Sequence, residues 1–237
     1  MMRWLPDRGN IATTNYIDVL FEDNHLLIVN KPVGMLVQGD ATGDEPLVEI
    51  GKQYIKEKYN KPGAVFLGVV HRLDRPVSGV VVFARTSKAL ARMNEQFRDK
   101  KTKKTYWAIV AQKPPATSGR LVHWLVKDEK RNKTTAHAKE NKEGKRSELD
   151  YQLIKNQGPY YLIQVNPITG RPHQIRVQLA SMDCAIVGDV KYGSPAPNDD
   201  GGICLHAKML EFVHPVTKET LRIEANAPET GAWSLFC

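Results

Sequence analysis

The sequence of 237 residues has little cysteine and no long apolar run. Its three cysteines, Cys184, Cys204 and Cys237, are widely separated and odd in number, which argues against a disulfide framework and indicates a reducing cytoplasm. No stretch approaches the roughly 20 apolar residues of a transmembrane helix, and the N-terminal MMRWLPDRGN lacks the apolar segment of a signal peptide. These absences disfavour secreted disulfide-rich proteins and membrane-spanning proteins.

The sequence also lacks the common cofactor and metal motifs. It contains no Walker A sequence, no GxGxxG after a strand, no CxxC, no HExxH and no GxSxG elbow. Cys204 and His206 stand two residues apart, but such pairs are common on strands and are weak evidence for a metal site. We therefore expect neither a cofactor nor a metal, and a hydrolase triad is disfavoured.

Positive charge is present in excess, with a formal net charge of +8 at pH 7. Lysine and arginine cluster in RDKKTKK, residues 98–104, and along the polar segment 127–146. Either run alone is typical of a solvated face. Two such runs on one chain favour contact with the phosphates of RNA or DNA.

Apolar periodicity predicts more strand than helix. Helices are predicted for PLVEIGKQYIKEKY, with Pro46 in the first helical position, for TSKALARMNEQFRDKK, with Thr86 or Ser87 as the cap, and for PHQIRVQLASM. Strands are predicted for YIDVLF, LLIVNKP, AVFLGVV, GVVVFA, KTYWAIVA, GRLVHWLV, SELDYQLIK, YYLIQVN, CLHAKMLEFVHP and ETLRIEA. The pattern predicts an α+β fold, with a largely antiparallel mixed sheet and a few helices, in a single domain over residues 1–237.

One connection between two strands has an unusual arrangement of charge. HRLDRPVSG, residues 71–79, holds Asp74 between Arg72 and Arg75, directly before an apolar run. Such a loop is either a buried ion-pair corner or a reaction centre. Elsewhere, TGRPHQIRVQLA puts His173 and Arg176 three residues apart on a predicted helix. A guanidinium from that helix would keep Asp74 ionised in a dry pocket, where a carboxylate is a usable nucleophile, but the residues alone do not show that the two meet.

Several motifs together resemble those of one enzyme family. HRLDRPVSG resembles the HRLDxxTSG signature of the RluA family of RNA pseudouridine synthases, and Asp74 falls on the family's catalytic aspartate. VLFEDNHLLIVNKPVGMLVQ, KKTYWAIV, TGRPHQIRVQLA, GDVKYG and LHAKMLEFVHP are similar to its other motifs, in the same order and over nearly the whole chain. The resemblance implies the pseudouridine synthase fold and the isomerisation of uridine in RNA to pseudouridine without cofactor or metal. Many members carry an N-terminal S4 domain, which we expect to be absent here.

The resemblance also implies roles for individual residues. Asp74 is the nucleophile, at the sugar or at the uracil ring, Tyr106 stacks on the flipped base, Arg176 pairs with Asp74, and Arg72 assists base flipping. Contacts to the RNA are expected from Arg72, Arg75, Lys103, Lys104, Arg171 and His173. For His173 a purely structural role is the alternative. The segment 127–146 is predicted to protrude as an arm that clamps RNA. The expected partner is RNA, ribosomal RNA being favoured over transfer RNA, and the chain is expected to be a monomer.

Two positions depart from the family motifs. Val77 replaces the signature threonine, and because valine has nearly the same shape we expect the loop to keep its geometry and lose at most one hydrogen bond, about 1 kcal/mol. Pro172 stands where threonine is frequent and suits a helix start. Two other functions stay open: a catalytically inactive RNA-binding module of the same fold, and a glycosidic-bond hydrolase, which is weaker because neither HRLDRPVSG nor TGRPHQIRVQLA supplies a second carboxylate.

Overall fold

The computed structural model of the chain describes residues 17–236. Within this range eleven strands form one mixed sheet, accompanied by three α-helices and two short 3-10 helices. The predicted α+β class and the mixed, largely antiparallel sheet are confirmed. The N-terminal MMRWLPDRGN and Cys237 lie outside the described residues.

The elements follow one another along the chain as follows. The strands are β1 (Asp18–Glu22), β2 (Leu26–Lys31), β3 (Gly68–Val69), β4 (Ser78–Ala84), β5 (Lys103–Val110), β6 (Ser118–Asp128), β7 (Lys133–His137), β8 (Lys145–Gln157), β9 (Tyr160–Pro167), β10 (Leu205–Val213) and β11 (Thr220–Glu224). The α-helices are α1 (Leu47–Lys58), α2 (Ser87–Arg98) and α3 (Gln174–Ala180), and the 3-10 helices are Val190–Tyr192 and Gly231–Leu235.

Strand β10 joins the two halves of the sheet, although it comes late in the chain. The strand order is β1-β2-β4-β10-β5-β9-β8-β6-β7, with β3 paired to β4 and β11 paired to β10. Strand β10 runs parallel to β4 and antiparallel to β5. In this register Ala207 lies opposite Gly79 on one side and opposite Tyr106 on the other. The loop 71–77, which ends at β4, is thereby brought beside Tyr106.

The strands β2 and β4 are buried on both faces of the sheet. Side chains alternate along a strand, so Leu27 and Val29 belong to one apolar cluster while Leu26 and Ile28 belong to another. Helix α1 packs into the first cluster and helix α2 into the second. This burial explains why LLIVNK and SGVVVFA are nearly continuous apolar runs in the sequence.

The helix starts match the sequence prediction to within a few residues. Helix α2 begins after Thr86, whose Oγ1 accepts a hydrogen bond of 3.1 Å from the backbone N–H of Ala89, so the predicted Thr86 cap is confirmed. Pro46 is the capping residue of α1 and precedes the first helical residue, so its predicted position was wrong by one residue. Helix α3 begins at Gln174, and His173, which was predicted to lie within this helix, is its cap with φ of 55°.

One predicted strand is much shorter than expected, and one strand lies in a segment for which no strand was predicted. The run AVFLGVV forms only the two-residue strand β3, which pairs with Phe83 and Ala84 at the end of β4. Within the segment 127–146, which was predicted to protrude as an arm, β7 pairs with β6 as an antiparallel hairpin. In β7 the buried residue Thr134 is polar, like its exposed neighbours. The strand therefore lacks the alternation of apolar and polar residues by which strands are predicted from sequence.

Candidate active site

Asp74 lies in the loop between β3 and β4, and backbone hydrogen bonds hold that loop at three points. Its own carbonyl accepts a bond of 3.0 Å from Val77, which closes a turn. The carbonyl of Arg75 accepts from Gly34, and the carbonyl of Pro76 accepts from Ile203, each at 2.9 Å. The carboxylate of Asp74 keeps 32% of its surface exposed, so a fixed backbone presents a carboxylate that is open to solvent.

Arg176 on helix α3 binds two carboxylates at once. Its Nη1 donates to Oδ2 of Asp74 at 3.0 Å, while Nε and Nη2 donate to the two carboxylate oxygens of Asp189 at 2.7 and 2.8 Å. The guanidinium also lies over the ring of Tyr192, 5.0 Å from its centroid. Burial alone would lower the pKa of Arg176, but the hydrogen bonds and charges of Asp189 and Asp74 raise it above its ordinary value.

Asp189 is a site residue that the sequence analysis did not name. It directly precedes the 3-10 helix Val190–Tyr192, and only 1% of its side chain is exposed. Because it forms the two-bonded fork with Arg176, it fixes the direction in which the remaining nitrogen, Nη1, points. The available signal was its place in GDVKYG, one of the segments that resemble the RluA family.

Tyr106 stands half-buried on β5, and β10 separates it from the start of β4. Burial raises the pKa of its hydroxyl, and the negative charge of Asp74 adds to this effect. The approach of the strands depends on Gly79, which has φ of +117°. A Cβ at that position would lie 2.4 Å from the carbonyl oxygen of Ala207, so no other residue fits there without moving β10.

Lys31, at the end of β2, is fully buried behind the same loop. Its ammonium donates to the carbonyls of Pro32, Met35 and Arg75 at 2.8, 2.7 and 3.1 Å. Burial lowers the pKa of Lys31 to about 7, while the charge of Asp74 opposes this shift and that of Arg75 adds to it. The sequence analysis did not single out Lys31, because a lysine in a strand usually lies at the surface.

His173 turns into the site from the residue before α3. Its side chain is 8% exposed, with Nε2 at 3.7 Å from Oδ2 of Asp74 and Nδ1 at 2.8 Å from the hydroxyl of Tyr192. Pro172 precedes it outside the helix, and the Pro172 carbonyl accepts a hydrogen bond of 3.1 Å from the hydroxyl of Thr134 on β7. Val77 is buried in the apolar cluster that also contains Leu73, so its methyl groups have apolar surroundings.

Comparison with known proteins identifies the family. The family model described as RNA pseudouridylate synthase matches residues 25–181. The chain belongs to this family. Enzymes of the family are isomerases that act on RNA, and the resemblance to the RluA family is confirmed.

Several members of the family resemble the chain closely. It is 36% identical over 228 residues to the ribosomal large subunit pseudouridine synthase C of Buchnera aphidicola (subsp. Baizongia pistaciae), with 93% of this chain and 70% of the relative covered. The enzyme of the same name from Escherichia coli is 33% identical over 219 residues, with 89% of this chain but only 66% of the relative covered. The chain therefore spans about two thirds of such relatives. The solved structure of human RNA pseudouridylate synthase domain containing 4 superposes with a TM-score of 0.74 at 25% identity, covering 89% of this chain and 88% of that one.

The basic side chains expected to contact RNA differ in their surroundings. Arg72 is exposed and forms no hydrogen bond or ion pair within residues 17–236. Arg75 is engaged by the carbonyl of Gly34 at 2.9 Å and by the carboxylate of Asp44 at 2.7 Å. The charge of Arg75 is thus already partly neutralised by Asp44 of the same chain.

Lys103 and Lys104 are neighbours with opposite environments. Lys103 is 77% exposed and pairs with Glu211 at 2.7 Å. Lys104 is half-buried with its ammonium 4.7 Å from the ring centre of Phe97, and burial lowers its pKa. Within the described part of the chain, no carboxylate pairs with Lys104, and together with Tyr106 it lines a small cleft.

Arg171 lies beside the hairpin formed by β6 and β7. It lines a cleft of about 330 Å³ together with Lys127 and Lys145, and the carboxylates Glu129 and Glu143 stand at the same cleft. The described residues contain no group of three or more His, Cys, Asp or Glu arranged to hold a metal ion. No helix among them is long and apolar enough to span a membrane.

Proposed function

We propose that this chain isomerises uridines of ribosomal RNA to pseudouridine, with Asp74 as the nucleophile. The observation that carries the proposal is the arrangement of Asp74, Arg176 and Asp189. A carboxylate that is one-third exposed receives a charged hydrogen bond of 3.0 Å from an arginine, and a buried second carboxylate holds that arginine in place. Such a carboxylate is anionic, accessible and fixed in direction, as a nucleophile must be.

The neighbouring side chains supply the other requirements of the reaction. Isomerisation breaks the bond from the ribose to N1 of uracil and forms one from the ribose to C5, so the base must leave the RNA stack and turn within the site. Arg72, exposed and unpaired within the described residues, is available to fill the gap left by the base. Tyr106 offers an aromatic face beside the nucleophile loop for the flipped uracil. Its raised pKa favours a protonated, uncharged ring.

The preference for ribosomal RNA rests on the names of the relatives from Buchnera and Escherichia coli. RNA affinity is assigned to Lys104, Arg171 and the hairpin of β6 and β7, whose cleft offers three basic side chains. We also infer that the residues on both sides of β10 work as one catalytic domain, since the Asp74 loop precedes β4 and Arg176 follows β9.

The test is to incubate the protein with ribosomal and transfer RNA from a strain that lacks its gene, and to map pseudouridine before and after. We expect new pseudouridines in ribosomal RNA with the wild-type protein and none with Asp74→Ala. The matched control is Asp150→Ala, because Asp150 is also a carboxylate hydrogen-bonded to an arginine, Arg120, but on the exposed surface of β8 and β6. This control should retain activity.

Each other outcome has a defined meaning. Full activity of Asp74→Ala would refute the assignment of the nucleophile. New pseudouridines only in transfer RNA would refute the choice of substrate but keep the reaction. RNA binding by the wild-type protein without any new pseudouridine would instead support an inactive RNA-binding module.

A further inference from the structure

His173 connects Asp74 to the hairpin of β6 and β7 through a chain of polar contacts. The backbone N–H of Thr134 on β7 donates to the hydroxyl oxygen of Tyr192 at 2.8 Å. The same hydroxyl lies 2.8 Å from Nδ1 of His173, and Nε2 of His173 lies 3.7 Å from Oδ2 of Asp74. The distance of 3.7 Å is too long for a hydrogen bond, so this last contact is electrostatic.

The partners of Tyr192 determine which ring nitrogen of His173 carries the proton. Because Thr134 already donates to the tyrosine oxygen, the hydroxyl proton is available for Nδ1 of His173. The proton of the neutral imidazole then resides on Nε2 and points toward Asp74. The opposite tautomer would leave the hydroxyl proton without this acceptor and would aim a nitrogen lone pair at a carboxylate, which is repulsive.

The surroundings of His173 favour its neutral form. Burial is the largest effect and lowers the pKa of His173, the charge of Asp74 opposes this, and Arg176 and Lys191 add to the lowering. Asp189 also opposes the lowering but is already bound by Arg176. A neutral ring with one fixed N–H is therefore the form that faces the nucleophile near pH 7.

We propose that His173 is a positioning residue for Asp74, and that Tyr192, held by strand β7, selects the tautomer that places the proton of His173 on Nε2. The inference rests on the proposed role of Asp74 as the nucleophile. Arg176 and His173 both approach Oδ2 of Asp74, whereas Oδ1 accepts no hydrogen bond within residues 17–236. Oδ2 is the anchored oxygen and Oδ1 is the oxygen left free to attack.

The tautomer can be measured directly by NMR on the full chain with 15N-labelled histidine. The seven histidines give separate ring signals, and His173→Gln identifies the signal of His173 by its disappearance. We expect a neutral ring with the proton on Nε2 at pH 7. In Tyr192→Phe, which keeps the aromatic ring under Arg176, that preference should be lost. Tyr54→Phe is the control, since the Tyr54 hydroxyl bonds Glu22 instead, and should leave the His173 signal unchanged.

Kinetics on an RNA that carries a mapped target uridine provide the second readout. His173→Ala should lower kcat by between about 10- and 100-fold with little change in KM, as expected when a reacting group is misplaced by a fraction of an ångström to 1 Å. His173→Gln, which retains an N–H donor, should recover a large part of kcat. A folded His173→Ala protein of unchanged kcat would overturn the proposal, as would a proton found on Nδ1 in the wild-type protein. Retained activity in Asp74→Ala would instead overturn the nucleophile assignment, so the two failures are distinguishable.

Discussion

The two carboxylates bound to Arg176 should contribute very differently to stability. Asp189 is 1% exposed and forms two hydrogen bonds to the guanidinium, whereas Asp74 is 32% exposed and forms one. Removing one partner of a buried ion pair typically costs about 3–5 kcal/mol, because the other charge remains buried and unpaired. An exposed pair contributes at most about 1 kcal/mol. Asp189→Asn leaves Arg176 only its single bond to Asp74, so we expect it to lower the free energy of unfolding by up to about 3–5 kcal/mol. Asp74→Asn leaves the fork with Asp189 intact and should cost less than about 1 kcal/mol.

Urea unfolding followed by the fluorescence of the four tryptophans measures both effects. Asp150→Asn is again the matched control, because it breaks a fork of 2.7 and 2.9 Å with Arg120 at the surface and should cost less than about 1 kcal/mol. Pseudouridine formation should be lost in Asp74→Asn although that variant stays stable. If Asp189→Asn and Asp150→Asn lowered the free energy of unfolding equally, burial would not increase the contribution of the Asp189 fork to stability. That result would refute the reasoning.

Three further predictions concern the surroundings of the site. Burial lowers the pKa of Lys31 in the fold to about 7, whereas in the unfolded chain it has its ordinary value of about 10.5. Between these two pH values the unfolded chain binds more protons than the fold. The free energy of unfolding should therefore rise with pH in that window. Urea titrations at several pH values should show a smaller rise in Lys31→Met. Gly79→Ala should lower the free energy of unfolding by at least about 1–3 kcal/mol through backbone strain and contact with Ala207, and a thermal melt like that of the wild type would contradict this. Lys104→Gln should make the negative slope of log K against log salt for RNA binding shallower by about 0.7–0.9. Lys103→Gln should change the slope less, because Lys103 already pairs with Glu211. Equal slopes for the two variants would contradict the distinction.

The strands and the outline of the site could be predicted because apolar runs and motifs mark them locally. Runs such as GVVVFA predict buried strands, and Thr86 predicts the start of α2 from the chemistry of its hydroxyl. The contact between Asp74 and Arg176 joins residues 102 positions apart, and only the resemblance to a known family brought the two together in advance.

The remaining site residues could not be predicted because their roles depend on long-range packing. Asp189 is one of many aspartates in turns, and it becomes a partner of Arg176 only when the turn meets α3. Lys31 is buried because three carbonyls of two loops converge on it. His173 faces Asp74 because its backbone is left-handed, with φ of 55°, which a helical reading of PHQIRVQLASM does not anticipate.

The central place of β10 has a consequence for the order in which the protein acquires activity during synthesis. Strands β1 to β4 and strands β5 to β9 leave the ribosome first, yet no strand pairing joins the two groups. The segment Leu205–Val213 follows both groups in the chain, inserts between them and places Ala207 between Gly79 and Tyr106. A nascent chain that ends before Leu205 therefore carries the Asp74 loop and Tyr106 on separate sheet fragments, and the proposed catalytic surface forms only when β10 joins them.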